Sequence, residues 1–279
     1  MSDPHQYCQQ KAAASGSSFY YSFLFLPKPK RQAITALYAF CREVDDVADE
    51  CSDSELARTK LNWWRGEIAN LYAGKPTHPV TQALQFAIGE YGLAEEHFRE
   101  IIDGMEMDLD QNRYRDFKEL QLYCYRVASV VGLLSASIFG YRDRKTLKYA
   151  HDLGLAFQLT NIVRDVGEDA RRGRIYLPAD ELEQFGVPEA DILQGRETVN
   201  LRQLLEFQIE RAQGYYEKAF AELPAADRKA QRTGLVMAAI YRTLLDEIRA
   251  GGCEKVLNQR ISLTPLRKLW LAWKTWVRN

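Results

Sequence analysis

The chain has 279 residues, 46% of them hydrophobic and 27% charged, with 17 Gly, 9 Pro and a formal net charge of −1. That length can bury a substantial core as one domain, and the near-neutral balance excludes a general nucleic-acid binder, which needs a basic surplus. Five cysteines, odd in number and without a C-x-x-C pair, favour a reducing cytoplasm over a disulfide framework or a zinc site. The N-terminal MSDPHQYCQQK lacks the apolar core of a signal peptide, and nowhere do 18 apolar residues run together, so neither secretion by that route nor a membrane span is expected. Apolar residues recur at three and four, rarely at two, and prolines mark the joints. Pro27 and Pro29 precede a helix from about 30 to 50, and Ser52 with Glu55 forms a capping-box pattern for a second, to about 72. Pro76 and Pro79 introduce a third, to about 91, and a fourth covers about 95–110. Asp116 with Glu119 opens a fifth, ending near Gly140. No Pro interrupts 142–174, where a sixth helix is expected, followed by a basic loop from Arg171 to Pro178. Short helical turns over 179–193 and long helices at 199–221 and 225–250, parted by Pro224, complete an all-α reading.

Within the sixth helix, QLTNIVRDVGED draws a polar line. At about 100° per residue, Gln158, Asn161, Asp165 and Asp169 fall within about a quarter of the circumference, with Glu168 at the edge. Leu155, Leu159, Ile162 and Val166 form an apolar stripe directly beside that arc, which is not where a solvated helix carries its acids. At about 6 Å and an effective dielectric of about 20, each carboxylate pair repels by roughly 3 kcal/mol, so a cation is called for. Oxygen-only ligands suit Mg2+, which uses one or two carboxylates together with substrate phosphate oxygens. The helix after Pro29 carries a second line of Tyr38, Arg42, Asp45 and Asp49, in YAFCREVDDVAD. Alone, it reads equally as a solvated face with Arg42 as a local ion-pair partner. Two such lines, each with an arginine (Arg42, Arg164), could hold Mg2+ and draw a diphosphate away from an allylic carbon.

Here DDVAD at 45–49 and NIVRDVGED at 161–169 resemble the two aspartate-rich motifs of the squalene and phytoene synthase family. SSFYYSFLFLP at 17–27, YCYRVASVVG at 123–132, RRGRIYLP at 171–178 and AAIYRTLLDEI at 238–248 resemble further family blocks in the same order. GSSFYYSF and the ending QRISLTPLRKLWLAWKTW are most similar to bacterial presqualene diphosphate synthases of hopanoid biosynthesis. The resemblance implies an all-α isoprenoid-synthase fold around a central cavity, and Mg2+-assisted head-to-head coupling of two farnesyl diphosphate molecules. It implies Asp45, Asp49, Asp165, Asp169 and Asn161 as Mg2+ ligands, with Gln158 as polar support. Arg42, Arg164 and Arg260 are implied as diphosphate contacts, and Tyr38, Tyr176 and Tyr241 as groups that orient diphosphate oxygens or sit near the cation. Ser18 aligns with a substrate-binding hydroxyl, but Gly16 stands where family members often carry a serine, so no contact is carried over there.

Plainer readings stand beside these. Tyr38, Tyr125 and Tyr241 also fit packed core aromatics with one hydrogen bond. Arg171 and Arg172 are expected to complement the C-terminal end of the sixth helix's dipole. The four histidines share no metal spacing, and neither a Ser-His-Asp set nor a phosphate-binding glycine loop is present. Tunnel depth, and with it C15 or C20 specificity, is expected to depend on Phe23, Leu26, Val130 and Leu134. A phytoene or dehydrosqualene synthase, an NADPH-dependent squalene synthase and a non-catalytic helical assembly factor of the same fold are the alternatives. From Thr264 onward, Leu266, Leu269, Trp270, Trp273 and Trp276 alternate with Arg267, Lys268, Lys274 and Arg278. That segment fits a terminal helix packed on the core, or one lying in the interface of the cytoplasmic membrane's inner face.

Overall fold

The computed structural model describes residues 3–14, 18–51 and 53–279. Among them are fourteen α-helices: α1 (Pro4–Ala14), α2 (Ser18–Phe23), α3 (Lys28–Glu50), α4 (Ser54–Tyr72), α5 (Pro79–Glu90), α6 (Glu95–Asp110), α7 (Phe117–Cys124), α8 (Val130–Phe139), α9 (Lys145–Arg171), α10 (Ala179–Gln184), α11 (Glu189–Leu193), α12 (Val199–Glu222), α13 (Arg232–Gly251) and α14 (Pro265–Arg278). A π-helical turn, Tyr125–Ser129, joins α7 to α8, and a 3-10 turn, Cys253–Leu257, follows α13. No strand occurs among the described residues. A single bridge pairs Arg113 with Ile175.

The starts follow local chemistry. Pro29, Pro79 and Pro265 occupy first-turn positions, where a missing N–H costs nothing. Asp116 caps α7 by accepting from the Glu119 amide, and Thr198 and Thr264 do the same for α12 and α14. For α4 the cap is Asp53, not Ser52. Its carboxylate accepts from the Glu55 and Leu56 amides, whereas Ser52 lies outside the described residues. The helix expected from 225 begins only at Arg232. The buried Asp227 accepts from the Arg142 and Asp143 amides and the Thr146 hydroxyl, and that pins 224–231 as turns against the start of α9. α1 carries little periodic signal, and it docks on α3 through Tyr7–Glu43 and Lys11–Asp46 contacts instead.

One contiguous buried cluster runs from Cys8 to Ala272, and α9 is its centre, packed against α8, α12, α13 and both turns. Backbones meet closely where α9 crosses the π turn. A Cβ on Gly154 would lie 2.6 Å from the Ala128 carbonyl oxygen, so glycine is what permits the approach. The run Phe117–Phe139 is long and apolar enough to cross a membrane by length and composition, and it packs against α6 and α9 within the bundle. Gly167 makes another such contact, and it sits inside the acidic string of α9. A side chain there would overlap the backbone of Leu257. We expect Gly167→Ala to cost about 3 kcal/mol through forced backbone displacement. In a thermal melt that is a drop of roughly 5 °C, and an unchanged midpoint would contradict the packing.

Candidate active site

α3 and α9 turn their polar lines into one cavity of about 750 Å3. Tyr38, Arg42, Asp45 and Asp49 line it from α3, and Gln158, Asn161, Arg164, Asp165, Glu168 and Asp169 from α9. Tyr176, Tyr241 and Arg260 line it as well, so the sequence-predicted residues are brought together, with one exception. Ser18 opens α2, but its side chain lies outside the described residues. Away from the acids the wall is apolar, with Phe23, Val131, Ala136, Phe139, Leu153 and Met237.

Four of these carboxylates, Asp45, Asp49, Asp165 and Glu168, meet an arginine directly. Arg42 Nη1 donates to Asp45 Oδ2 at 2.6 Å, and its Nη2 donates to Asp46 Oδ1, also at 2.6 Å. Arg164 forks onto Asp165, with Nε 2.7 Å from Oδ1, and also hydrogen-bonds Tyr241. Arg260 Nη1 lies 3.2 Å from Glu168 Oε2, while its Nε is 4.0 Å from Asp165 Oδ1. Arg172 does not merely serve the helix dipole. Arg172 and Arg174 each place Nη1 2.7 Å from an oxygen of Asp49, tying the loop after α9 to the end of α3. That loop is fixed from behind: the Ile175 amide donates to Asn112 O and the Ala179 amide to Tyr114 O.

Besides Arg174, three groups at the site escaped sequence reasoning. Asp108, on α6, accepts from the Tyr176 hydroxyl at 2.7 Å and from the Tyr123 hydroxyl at 3.0 Å. Tyr176 therefore orients an acid, and its ring packs against both Tyr114 and Tyr123, which also touch each other. A period count could have found Asp108. Phe98, Ile101, Ile102 and Met105 form the buried stripe of α6, and Asp108 continues it at the next step. Tyr123 lines the cavity while Tyr125, two residues on, packs near His151. Lys268 of α14 also lines the cavity; burial and the nearby Arg164 and Arg260 push its pKa down. The tunnel wall likewise differs from expectation. Phe23 lines it, but from the π turn and α8 the lining residues are Val127, Ala128, Val131, Gly132, Ser135, Ala136 and Phe139. Val130 and Leu134 are buried in the surrounding core, about 100° around the helix from Val131 and Ser135. Leu26 is buried but does not line the cavity either.

The charges are strained without a cation. Burial, reinforced by Asp165, pushes Asp169 up to about 8 against the pull of Arg174. Burial raises Asp45 to about 6 against Arg42, and it raises Asp108 to about 6 despite the two tyrosine hydrogen bonds. Burial would raise Asp49 too, but its bonds to Arg174 and Arg172 hold it below the ordinary range. Among the described residues no three His, Cys, Asp or Glu side chains close around one point as a ready cage. The donors nevertheless fit Mg2+ delivered with a phosphate. They are oxygen atoms, and Asn161 Oδ1, on the same arc as Asp165, is buried without a hydrogen-bond partner.

Comparison with known proteins decides the lineage. The sequence profile described as squalene/phytoene synthase matches residues 12–267. The chain belongs to the squalene/phytoene synthase family. A phytoene synthase of Arthrospira platensis is 40% identical to it, over 96% of this chain and 91% of that protein. The crystal structure of a dehydrosqualene synthase with a bound ligand superposes with a TM-score of 0.88 at 30% identity, covering 99% and 96% of the two chains. Squalene synthase HpnC from Alicyclobacillus acidocaldarius superposes with a TM-score of 0.79, also at 30% identity, over 89% and 94%. The fold is thus the all-α isoprenoid-synthase fold, and the chain is an enzyme of the head-to-head prenyltransferase family.

Proposed function

We propose that the enzyme condenses two farnesyl diphosphate molecules head-to-head to presqualene diphosphate, with release of diphosphate, in the cytoplasm. The observation that carries the reading is the junction of two acidic lines and their arginines with one apolar hollow. Such a site binds diphosphate at one end and prenyl chain at the other. Asp45, Asp49, Asp165 and Asp169, with Asn161, would hold Mg2+; when bound, the ion supplies the positive charge against which diphosphate departs. The protein's own groups do the rest. Arg42, Arg164 and Arg260 exchange their carboxylate partners for diphosphate oxygens, so no charge is left unmatched when substrate and cation enter. Tyr123 and Tyr176 donate to Asp108 and fix its orientation. Tyr241 keeps the Arg164 guanidinium in place from the apolar side, and Tyr38, close to Phe19 and Phe23, lines the cavity one turn before Arg42. The apolar wall excludes water, which would otherwise capture the allylic cation as an alcohol. In the reaction the donor's C1–O bond breaks, and the electron pair leaves with diphosphate. The 2,3 double bond of the second molecule then attacks C1, and loss of one proton closes the cyclopropane.

Likeness of GSSFYYSF and the C-terminal run to presqualene diphosphate synthases favours the C15 substrate. Likeness to the Arthrospira phytoene synthase favours the C20 reading instead. Offering C15 and C20 diphosphates together with Mg2+, with and without NADPH, separates the possibilities by mass spectrometry. We expect a C30 cyclopropyl diphosphate in both reactions. A C40 product would make the enzyme a phytoene synthase, and squalene appearing only with NADPH would make it a full squalene synthase.

A further inference from the structure

α14 presents one row of apolar side chains that nothing in the fold covers. Leu266 is 80% exposed, Trp270 52%, Trp273 57% and Val277 65%. At about 100° per residue these four fall within about 60° of the helix circumference, while the buried Leu271 and Ala272 seat the other side on the core. A second row runs along one flank of the stripe, at about 80–120° on the same wheel: Arg267, Lys274 and Arg278. Arg267 reaches Glu247 of α13 at 2.7 Å, and the Lys274 ammonium sits 4.4 Å from the Trp270 ring centroid. No acidic residue occurs from Thr264 to Asn279, although the whole chain carries a net charge of −1. The turn after α2 extends the patch. Phe25 stacks on Trp276 with ring centroids 5.4 Å apart, and Leu24 and Phe25 are each 37% exposed. Lys28 and Arg31 follow in sequence, again with no acid between Leu24 and Arg31. The surface adjoins the cavity, since Ser262, Leu263 and Lys268 belong to its lining.

The geometry points to a docking surface for an anionic lipid bilayer, with α14 lying in the headgroup region and the cavity opening beside it. Tryptophans with basic neighbours suit that interface, where rings sit among headgroups and cations meet lipid phosphates. A second copy of the chain would face the same basic row with its own, so charge complementarity selects the membrane. The purpose of docking, passing an apolar product directly into lipid, rests on the reaction proposed above. The docking itself does not.

Flotation of the full-length protein, without substrate, on vesicles of phosphatidylcholine alone or mixed with phosphatidylglycerol tests this. We expect binding to the anionic vesicles at least tenfold above the neutral ones, weakened by salt, with a blue shift of tryptophan emission. Trp270→Glu/Trp273→Glu should lose at least tenfold of that binding, and Lys274→Glu/Arg278→Glu about as much, at roughly fivefold per basic residue brought to the surface. Both pairs lie on the exposed side, so the thermal midpoint and turnover in detergent should stay at the wild-type level, which separates lost docking from lost folding. Equal partitioning of wild type and the tryptophan variant, or no binding to anionic vesicles, would overturn the proposal. So would light scattering that shows a dimer broken by the same variant, which would assign the stripe to self-association. A C40 product in the substrate assay would change the reaction and leave the docking result standing.

Discussion

Asp165→Asn and Asp45→Asn should each reduce turnover by about 10³-fold or more while leaving the helical fold in place. The magnitude follows from the kind of interaction lost: a group aimed at charge that develops on departure is worth about 10²–10³ in rate even when it is a single neutral hydrogen-bond donor. A carboxylate that recruits a divalent ion should exceed that. The effect on stability goes the other way. Burial disfavours the charged form of Asp45, so removing that charge relieves desolvation and repulsion from Asp49 and Asp108, while the bond from Arg42 loses its charge assistance. Melting points within a few degrees of wild type are expected, because asparagine can still accept from the arginine. The comparison with Asp103→Asn is informative. Asp103 lies on the outward side of α6 and pairs with Arg65 at 2.5 Å, so its loss should leave turnover unchanged. Wild-type-like activity of either site variant would remove the basis for the metal roles.

Much of this site was legible because two signals coincided. The sequence placed carboxylates beside apolar stripes on two separate helices, and the fold turns both arcs to one cavity. The helices announced by Pro29, Pro79 and Asp116 also start within a few residues of expectation. What stayed hidden depends on contacts between distant segments. Arg174 sits in a loop whose direction is set by backbone bonds to residues 112 and 114, so nothing local says that it reaches Asp49. Asp108 was hidden among Asp103, Glu106 and Asp110, which face Arg58 and Arg65 at the surface. Only its phase relative to Met105 sets it apart. The C-terminal helix fits the packed reading on the side seated on α13, and its other side is bare. Turn residues 224–231 kept a helical pattern in sequence, yet the buried Asp227 carboxylate draws them onto α9.

In metal-free protein, stability should fall as the pH rises from 6 to 8. Asp169 carries the effect. An unfolded aspartate has lost its proton well below pH 6, whereas in the folded chain burial and Asp165 keep the Asp169 proton until about pH 8. Across this window the folded state therefore binds more protons than the unfolded state, and raising the pH favours unfolding. At 1.36 kcal/mol per pKa unit the loss between pH 6 and 8 is about 2 kcal/mol. Asp45 and Asp108, raised to about 6, add a few tenths each near the lower edge. Adding Mg2+ with inorganic diphosphate should flatten the profile, because a bound cation favours the ionised carboxylates and so reverses the proton preference. Chemical denaturation at pH 6, 7 and 8, with chelator or with Mg2+ and diphosphate, measures both halves. If stability in chelator stays level or rises over this range, or if Mg2+ and diphosphate shift all three pH values equally, Asp169 does not hold its proton beside Asp165. The coupling between that proton and the cation would then be absent.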